Sequence, residues 1–151
     1  LVLGAGGAAK AAALALAQAG CRVTVCARTP EKAAALAARC GGVTVSWEDL
    51  PRAAAEHGLL LNATPLGMEG SPEFESLDFV QALPTKAVVY DLVYHPTDTA
   101  LLRAAGSREL TAVGGLALLV QQAALAFAHF TGIVPDAALC RNILQELEAA
   151  Q

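Results

Sequence analysis

Leu1-Val2-Leu3-Gly4-Ala5-Gly6-Gly7-Ala8-Ala9-Lys10 opens the chain. An apolar strand runs directly into a glycine turn, and the turn into an alanine-rich helical pattern. A strand, a G-x-G-x-x-[GA] turn and a helix in that order form the phosphate-binding corner of a dinucleotide fold. Gly4 permits the tight turn, and Gly6 lets the backbone approach a pyrophosphate. Ala9 takes the third small position, where the helix packs on the strand. That helix aims its unpaired N–H groups and the positive end of its dipole at the phosphates. The chain has no starting Met and begins inside the expected strand, so it reads as a piece of a larger protein.

Outward from that turn, strand and helix patterns alternate. Strands are expected at residues 1–3, 22–27, 43–46, 59–61, 87–92 and 109–113. Helices are expected at 8–19, 47–55, 76–82 and 97–105, the last with Thr97 and Asp98 as its caps. Another helix is capped by Thr29, opened by Pro30 and closed by Gly41, the usual proline-in, glycine-out asymmetry. The apolar runs lack strict alternation, which suits strands covered on both faces of a parallel sheet. Right-handed βα units then predict a doubly wound, mostly parallel six-stranded α/β sheet, followed by C-terminal helices over 115–131 and from Pro135 onward. The division expected is a nucleotide-binding domain at 1–132 and a C-terminal helix within 133–151.

Composition narrows the classes. The 151 residues are 55% hydrophobic and 16% charged, with a net charge of −4, which excludes a disordered or fibrous chain and leaves a nucleic-acid role without a basic patch. The richest apolar stretch, 113–130, is broken by Gly114, Gly115, Gln121, Gln122 and His129, which argues against a membrane span. Cys21, Cys26, Cys40 and Cys140 form no C-x-x-C pair and read as small apolar side chains in a reducing, cytoplasmic compartment. His57, His95 and His129 share no metal-ligand spacing.

The tip of the second strand bears on the cofactor. An NAD site places an acid about 20 residues past the glycine turn to bond the ribose 2′-hydroxyl. This strand instead ends Ala27-Arg28-Thr29, with Pro30, Glu31 and Lys32 behind it. Arg28 and Lys32 can clasp a 2′-phosphate by charge-assisted bonds, so the residues favour NADP over NAD. Alternatively Arg28 and Lys32 are solvated charges. Glu31, the nearest acid, lies in the helix start and serves its dipole.

Three further segments are not explained by packing: residues 62–68 (Asn62-Ala63-Thr64-Pro65-Leu66-Gly67-Met68), 90–99 (Tyr90-Asp91-Leu92-Val93-Tyr94-His95-Pro96-Thr97-Asp98-Thr99) and 114–124, which begins Gly114-Gly115-Leu116 and includes Gln121-Gln122. Together with residues 4–10 and 27–32 they resemble the C-terminal half of shikimate dehydrogenase, in order and over essentially the whole chain. The resemblance implies an NADP-dependent oxidoreductase of aromatic amino-acid (chorismate) biosynthesis that reduces 3-dehydroshikimate to shikimate. Hydride passes from the nicotinamide C4 to the C3 carbonyl in a cleft between two domains.

By that resemblance, residues 4–8 (Gly4, Ala5, Gly6, Gly7, Ala8) hold the pyrophosphate. Residues 27–32 (Ala27, Arg28, Thr29, Pro30, Glu31, Lys32) form the adenosine 2′-phosphate segment, with Arg28, Thr29 and Lys32 making the contacts. Asn62, Ala63, Thr64 and Pro65 line the cofactor, Thr64 nearest the cleft. Leu92 and the Gly115 backbone meet the nicotinamide, while Tyr94 and Gln122 reach the substrate. Ala27 stands where the family usually has Asn, removing one polar contact to the ribose, and Leu118 where it often has Met. The family's catalytic Lys–Asp pair belongs to an N-terminal domain upstream of Leu1, so this stretch alone is expected to bind NADP and catalyse little. The final helix would face that domain, and alone its apolar face is exposed or joins a second copy as a homodimer. Asp91 either orients loop amides or acts near the cleft. A quinate/shikimate dehydrogenase shares these motifs, and a noncatalytic NADP-binding sensor is the alternative from another class.

Overall fold

The computed structural model describes residues 1–149; Ala150 and Gln151, the last two residues of the 133–151 segment, lie outside the described residues. Six strands, β1 (Val2–Leu3), β2 (Thr24–Cys26), β3 (Val43–Thr44), β4 (Leu59–Asn62), β5 (Val88–Asp91) and β6 (Thr111–Val113), alternate with helices α1 (Gly7–Gln18), α2 (Pro30–Cys40), α3 (Leu50–Ala54), α4 (Asp78–Ala82) and α5 (Ala100–Gly106). Helices α6 (Gly115–Thr131) and α7 (Ala137–Ala149) follow. The sheet order is β3-β2-β1-β4-β5-β6 and every pairing is parallel. This is the doubly wound α/β sheet expected from the sequence, with β1 at the point where the strand order reverses.

Two apolar cores sit on opposite faces of the sheet, and successive residues of β1 are divided between them. Val2 joins Val25, Leu61, Ala9, Ala13 and Leu36 on the face carrying α1 and α2. Leu1 and Leu3 join Cys26, Leu60, Val89, Phe79 and Leu101 on the face carrying α3, α4 and α5. A strand buried on both faces needs no polar alternation, which is why these strands read as unbroken apolar runs. In β1, Val2 lies opposite Val25 and Leu61, and Leu3 opposite Cys26 and Asn62.

Several helix starts fall later than the sequence pattern predicts: α3 begins at Leu50, not 47, α4 at Asp78, not 76, and α7 at Ala137, not Pro135. Thr29 occupies the N-cap position of α2 but makes no side-chain cap bond, while Pro30 opens the helix and Gly41 closes it at φ +62°. Helix α5 starts at Ala100, not at 97, because Thr99 is its cap: the Thr99 hydroxyl accepts from the Leu102 amide at 3.2 Å. Asp98 instead pairs with Arg103 at 3.1 Å on the surface. Beyond α5, the Arg108 guanidinium donates to the carbonyls of Val80 and Leu83 at 2.6 and 2.8 Å, capping the end of α4 with a side chain that sequence spacing does not reveal.

Helices α6 and α7 pack on each other around an open groove of about 450 Å³, lined by Leu119, Val120, Phe127, Leu139, Cys140 and Ile143 among others. The groove has no charged side chain on its wall. Among the described residues no helix is long and apolar enough to cross a membrane, and no cluster of His, Cys, Asp or Glu is placed to hold a metal ion.

Candidate functional site

At the carboxyl ends of the central strands lies a second cavity of about 320 Å³. Three segments far apart in sequence meet there. The glycine turn contributes Gly4, Ala5 and Gly6; the β2 tip contributes Ala27, Arg28, Thr29 and Lys32; the loop after β4 contributes Ala63, Thr64, Pro65 and Leu66. In an open parallel sheet this crevice at the reversal of strand order is where ligands bind.

Gly4 cannot be any other residue without rebuilding the turn. Its φ is +107°, and a Cβ there would lie 2.8 Å from the Ala63 carbonyl oxygen and 3.2 Å from the Thr64 methyl. The turn is pinned by the Gly4 amide donating to the Cys26 carbonyl at 2.7 Å and the Ala63 amide to the Leu3 carbonyl at 2.9 Å. Gly6 presents the opposite case. Nothing lies within 4 Å of its missing Cβ, so the backbone faces open space. It is the N-cap of α1, and the first intrahelical bond runs from the Lys10 amide to the Gly6 carbonyl at 3.0 Å. The amides of Gly7, Ala8 and Ala9 therefore have no partner within the helix, and there is no acid in the first turn to compete for them. Free amides, a helix dipole and an absent side chain make a cradle that fits a pyrophosphate.

The cavity wall carries two cations, Arg28 and Lys32, and no anion. Glu31 and Pro30, though between them in sequence, are exposed and lie outside the lining. Trp47, Leu66 and Pro72 complete the wall. Leu66 belongs to the 62–68 segment, but Trp47 and Pro72 do not stand out in the sequence, because only the folded paths of the loops after β3 and β4 turn them inward.

Asn62 is placed behind the wall. Fully buried, it donates from Nδ2 to Asp91 Oδ1 at 2.8 Å and to the Leu66 carbonyl at 3.2 Å. Its Oδ1 accepts from the Thr64 amide at 3.0 Å and the Thr64 hydroxyl at 2.6 Å. Asp91, also fully buried, further accepts from the Val93 amide at 3.1 Å and the Thr99 hydroxyl at 2.7 Å. Burial pushes the Asp91 carboxyl above the usual range, against the pull of the donors on Thr99, Val93 and Asn62. These bonds go to a loop amide and neighbouring side chains, so of its two expected roles Asp91 takes that of orienting the loops. One network thus shapes both the cavity loop after β4 and the loop after β5.

That second loop carries Leu92 and Tyr94. Gly115 is buried against it: its amide donates to the Val93 carbonyl at 3.1 Å, and a Cβ would overlap the Leu92 carbonyl oxygen. Leu92 and Gly115 are therefore brought together, beside the cavity and outside its lining. Tyr94 is 47% exposed and Gln122, on α6, is exposed as well; neither enters the cavity. The neighbouring His95 sets Nε2 2.6 Å from a Glu69 carboxylate oxygen.

The four cysteines are free thiols. Cys26 and Cys140 are buried, and burial pushes the Cys26 thiol up to about 12, which leaves it inert. Cys40 is half-buried and Cys21 exposed, so the small-apolar reading fits the buried pair and not Cys21.

Comparison with known proteins adds to this geometry. Residues 1–69 match the family model described as shikimate / quinate 5-dehydrogenase, and residues 115–145 match the shikimate 5′-dehydrogenase C-terminal domain. The shikimate dehydrogenase (NADP(+)) of Acidiphilium cryptum is 49% identical over 149 residues, covering 97% of this chain and 53% of that protein. The shikimate 5-dehydrogenase of Thermus thermophilus, solved in complex with NADP(H) and shikimate, superposes with a TM-score of 0.80 at 40% identity, over 97% of this chain and 54% of that one. Quinate dehydrogenase from Corynebacterium glutamicum, solved with NAD, gives 0.84 at 31% identity over 96% and 54%. The chain spans about half the length of the curated relatives it matches.

Proposed function

From the membership of this chain in the shikimate dehydrogenase family, we propose that it is the NADP-binding part of such an enzyme. The observation that carries the reading is the meeting of the glycine turn with Arg28, Thr29 and Lys32 in one cavity that holds no acid. The free amides at Gly7 and Ala8 receive the pyrophosphate. Arg28 and Lys32 receive the adenosine 2′-phosphate, with Thr29 beside them. Leu92 and the Gly115 backbone flank the nicotinamide, and Thr64 and Pro65 close the side toward it.

When bound, NADPH supplies a hydride for reduction of the 3-dehydroshikimate carbonyl. Tyr94 and Gln122, exposed on the loop after β5 and on α6, orient the substrate from this side. The carbonyl oxygen also needs a proton from a positioned acid. Among the described residues the side-chain ion pairs are Arg52–Asp49, His95–Glu69 and Arg103–Asp98, none involving a lysine. We assign the proton donor to a Lys–Asp pair outside this chain, and the chain by itself to cofactor binding without turnover.

A quinate enzyme using NAD would want an acid at the β2 tip; Arg28 there favours the NADP reading. Calorimetric titration with NADP and with NAD at one salt concentration tests it. NADP is expected to bind the more tightly, and Arg28→Ala to weaken NADP by roughly 1–3 kcal/mol while leaving NAD nearly unchanged. Equal losses for both would remove Arg28 from the 2′-phosphate site.

A further inference from the structure

Trp47 is the chain's only tryptophan and lies outside every segment that carries the family resemblance. It follows β3, the outermost strand on its side of the sheet, yet it lines the cavity with Gly4, Arg28 and Lys32. Trp47 is half-buried and packs on the core cluster of Leu3, Leu50 and Leu60. That anchorage fixes the indole while leaving part of it to the cavity.

The wall divides chemically. Polar side chains are Arg28, Thr29, Lys32 and Thr64; the bulky, largely apolar ones are Trp47, Pro65, Leu66 and Pro72, and Trp47 alone is aromatic. If Arg28 and Lys32 hold a 2′-phosphate, the base of the same nucleoside is tied down too. It is attached to the ring carbon next to the one bearing that phosphate, so it must lie beside those cations. A purine has two apolar π faces that gain from burial against an aromatic ring.

We propose that Trp47 is a base-stacking residue: its indole packs against the adenine of the bound dinucleotide, with Leu66 and Pro72 closing the pocket around it. This rests on the NADP-binding reading above and extends it to a residue no motif contains. Stacking reads a face, so Trp47 contributes affinity for the adenosine half and none for the nicotinamide half.

The 151-residue chain itself serves for the test, with adenosine 2′,5′-bisphosphate as the probe. This ligand has no nicotinamide to absorb indole emission, so a change in fluorescence reports an altered environment at Trp47, and the Trp47 variants separate contact from a remote effect. The expected result is a saturable quench or shift whose midpoint matches the calorimetric Kd. Trp47→Leu keeps apolar bulk against Leu50 but removes the ring; it is expected to weaken the bisphosphate roughly 5- to 150-fold. Trp47→Phe restores most of that loss, and both variants bind nicotinamide mononucleotide like the parent. If the bisphosphate binds with unchanged fluorescence and Trp47→Leu binds it equally well, the stacking role is overturned while the NADP reading stands. If the folded parent chain binds no bisphosphate at all, the NADP reading falls, and the stacking role with it.

Discussion

Asp91 accepts three hydrogen bonds where no solvent reaches, and the donors are spread over Asn62, Val93 and Thr99. Losing the carboxylate leaves the Thr99 hydroxyl proton and the Val93 amide unpaired in the interior and takes one of the two bonds that Asn62 Nδ2 donates. Asp91→Ala is therefore expected to cost about 3 kcal/mol or more, since each buried polar group left unpaired costs roughly 1–3 kcal/mol. Asp91→Asn keeps the shape and an accepting oxygen, and should cost clearly less. Urea unfolding of both variants checks the order; equal losses would mean the charge, not the bonds, holds the loops. The sequence showed Asp91 ending an apolar strand but not its partners, because Asn62 and Thr99 are brought to it only by strand pairing and by the turn into α5. Gly4 was legible for the opposite reason: its constraint is local, a left-handed turn between a strand and a helix. Trp47 was silent, since its neighbours in the chain carry no trace of the cavity it lines.

His57 ties the end of α3 to β2. Its Nδ1 lies 2.6 Å from the Ala53 carbonyl, which can only accept, so Nδ1 carries the proton and Nε2 accepts from the Thr24 hydroxyl at 2.9 Å. Burial lowers its pKa below the usual histidine value, with the Ala53 bond pulling the other way. A proton on Nε2 would reverse the Thr24 bond, the hydroxyl then accepting. Because the unfolded chain binds that proton more readily, stability contributed by neutral His57 is present above about pH 6.5 and is lost as pH falls through it. Urea midpoints at about pH 7.5 and about pH 5.5 should differ more for the parent than for His57→Gln. Identical slopes would show that the ring titrates as if in water. At this scale the number, order and type of elements were readable from apolar runs and glycine or proline punctuation. The ends were less so: α5 was expected three residues early because Thr97, Asp98 and Thr99 are all cap formers, and only the fold assigns Asp98 to Arg103 and Thr99 to the cap. Arg108, which closes α4, acts across 25 and 28 residues of sequence.

Across the whole molecule, apolar surface is concentrated at one end, on α6, α7 and their connection. Leu125 is 72% exposed, Phe130 83% and Val134 81%, a patch of the kind that marks contact with another protein surface. Replacing Leu125 and Phe130 together by Lys should leave Tm nearly unchanged, as for exposed positions generally, and reduce self-association in sedimentation runs. A large drop in Tm would mean that the two side chains support the fold from within. The sheet has a different consequence, and it concerns time. The short central strand β1 meets β4 only across a span of 58 residues, as the bond between Leu1 and Leu59 records. Parallel pairing allows no hairpin shortcut, so closing that loop comes before any reward from the central seam. The rate of folding should accordingly be set at the seam and the rate of unfolding at the edge. In stopped-flow measurements Val2→Ala is expected mainly to slow refolding, and Val113→Ala mainly to hasten unfolding. The reverse pattern would place the nucleus at β5 and β6, leaving the strand that carries the glycine turn as the last to dock.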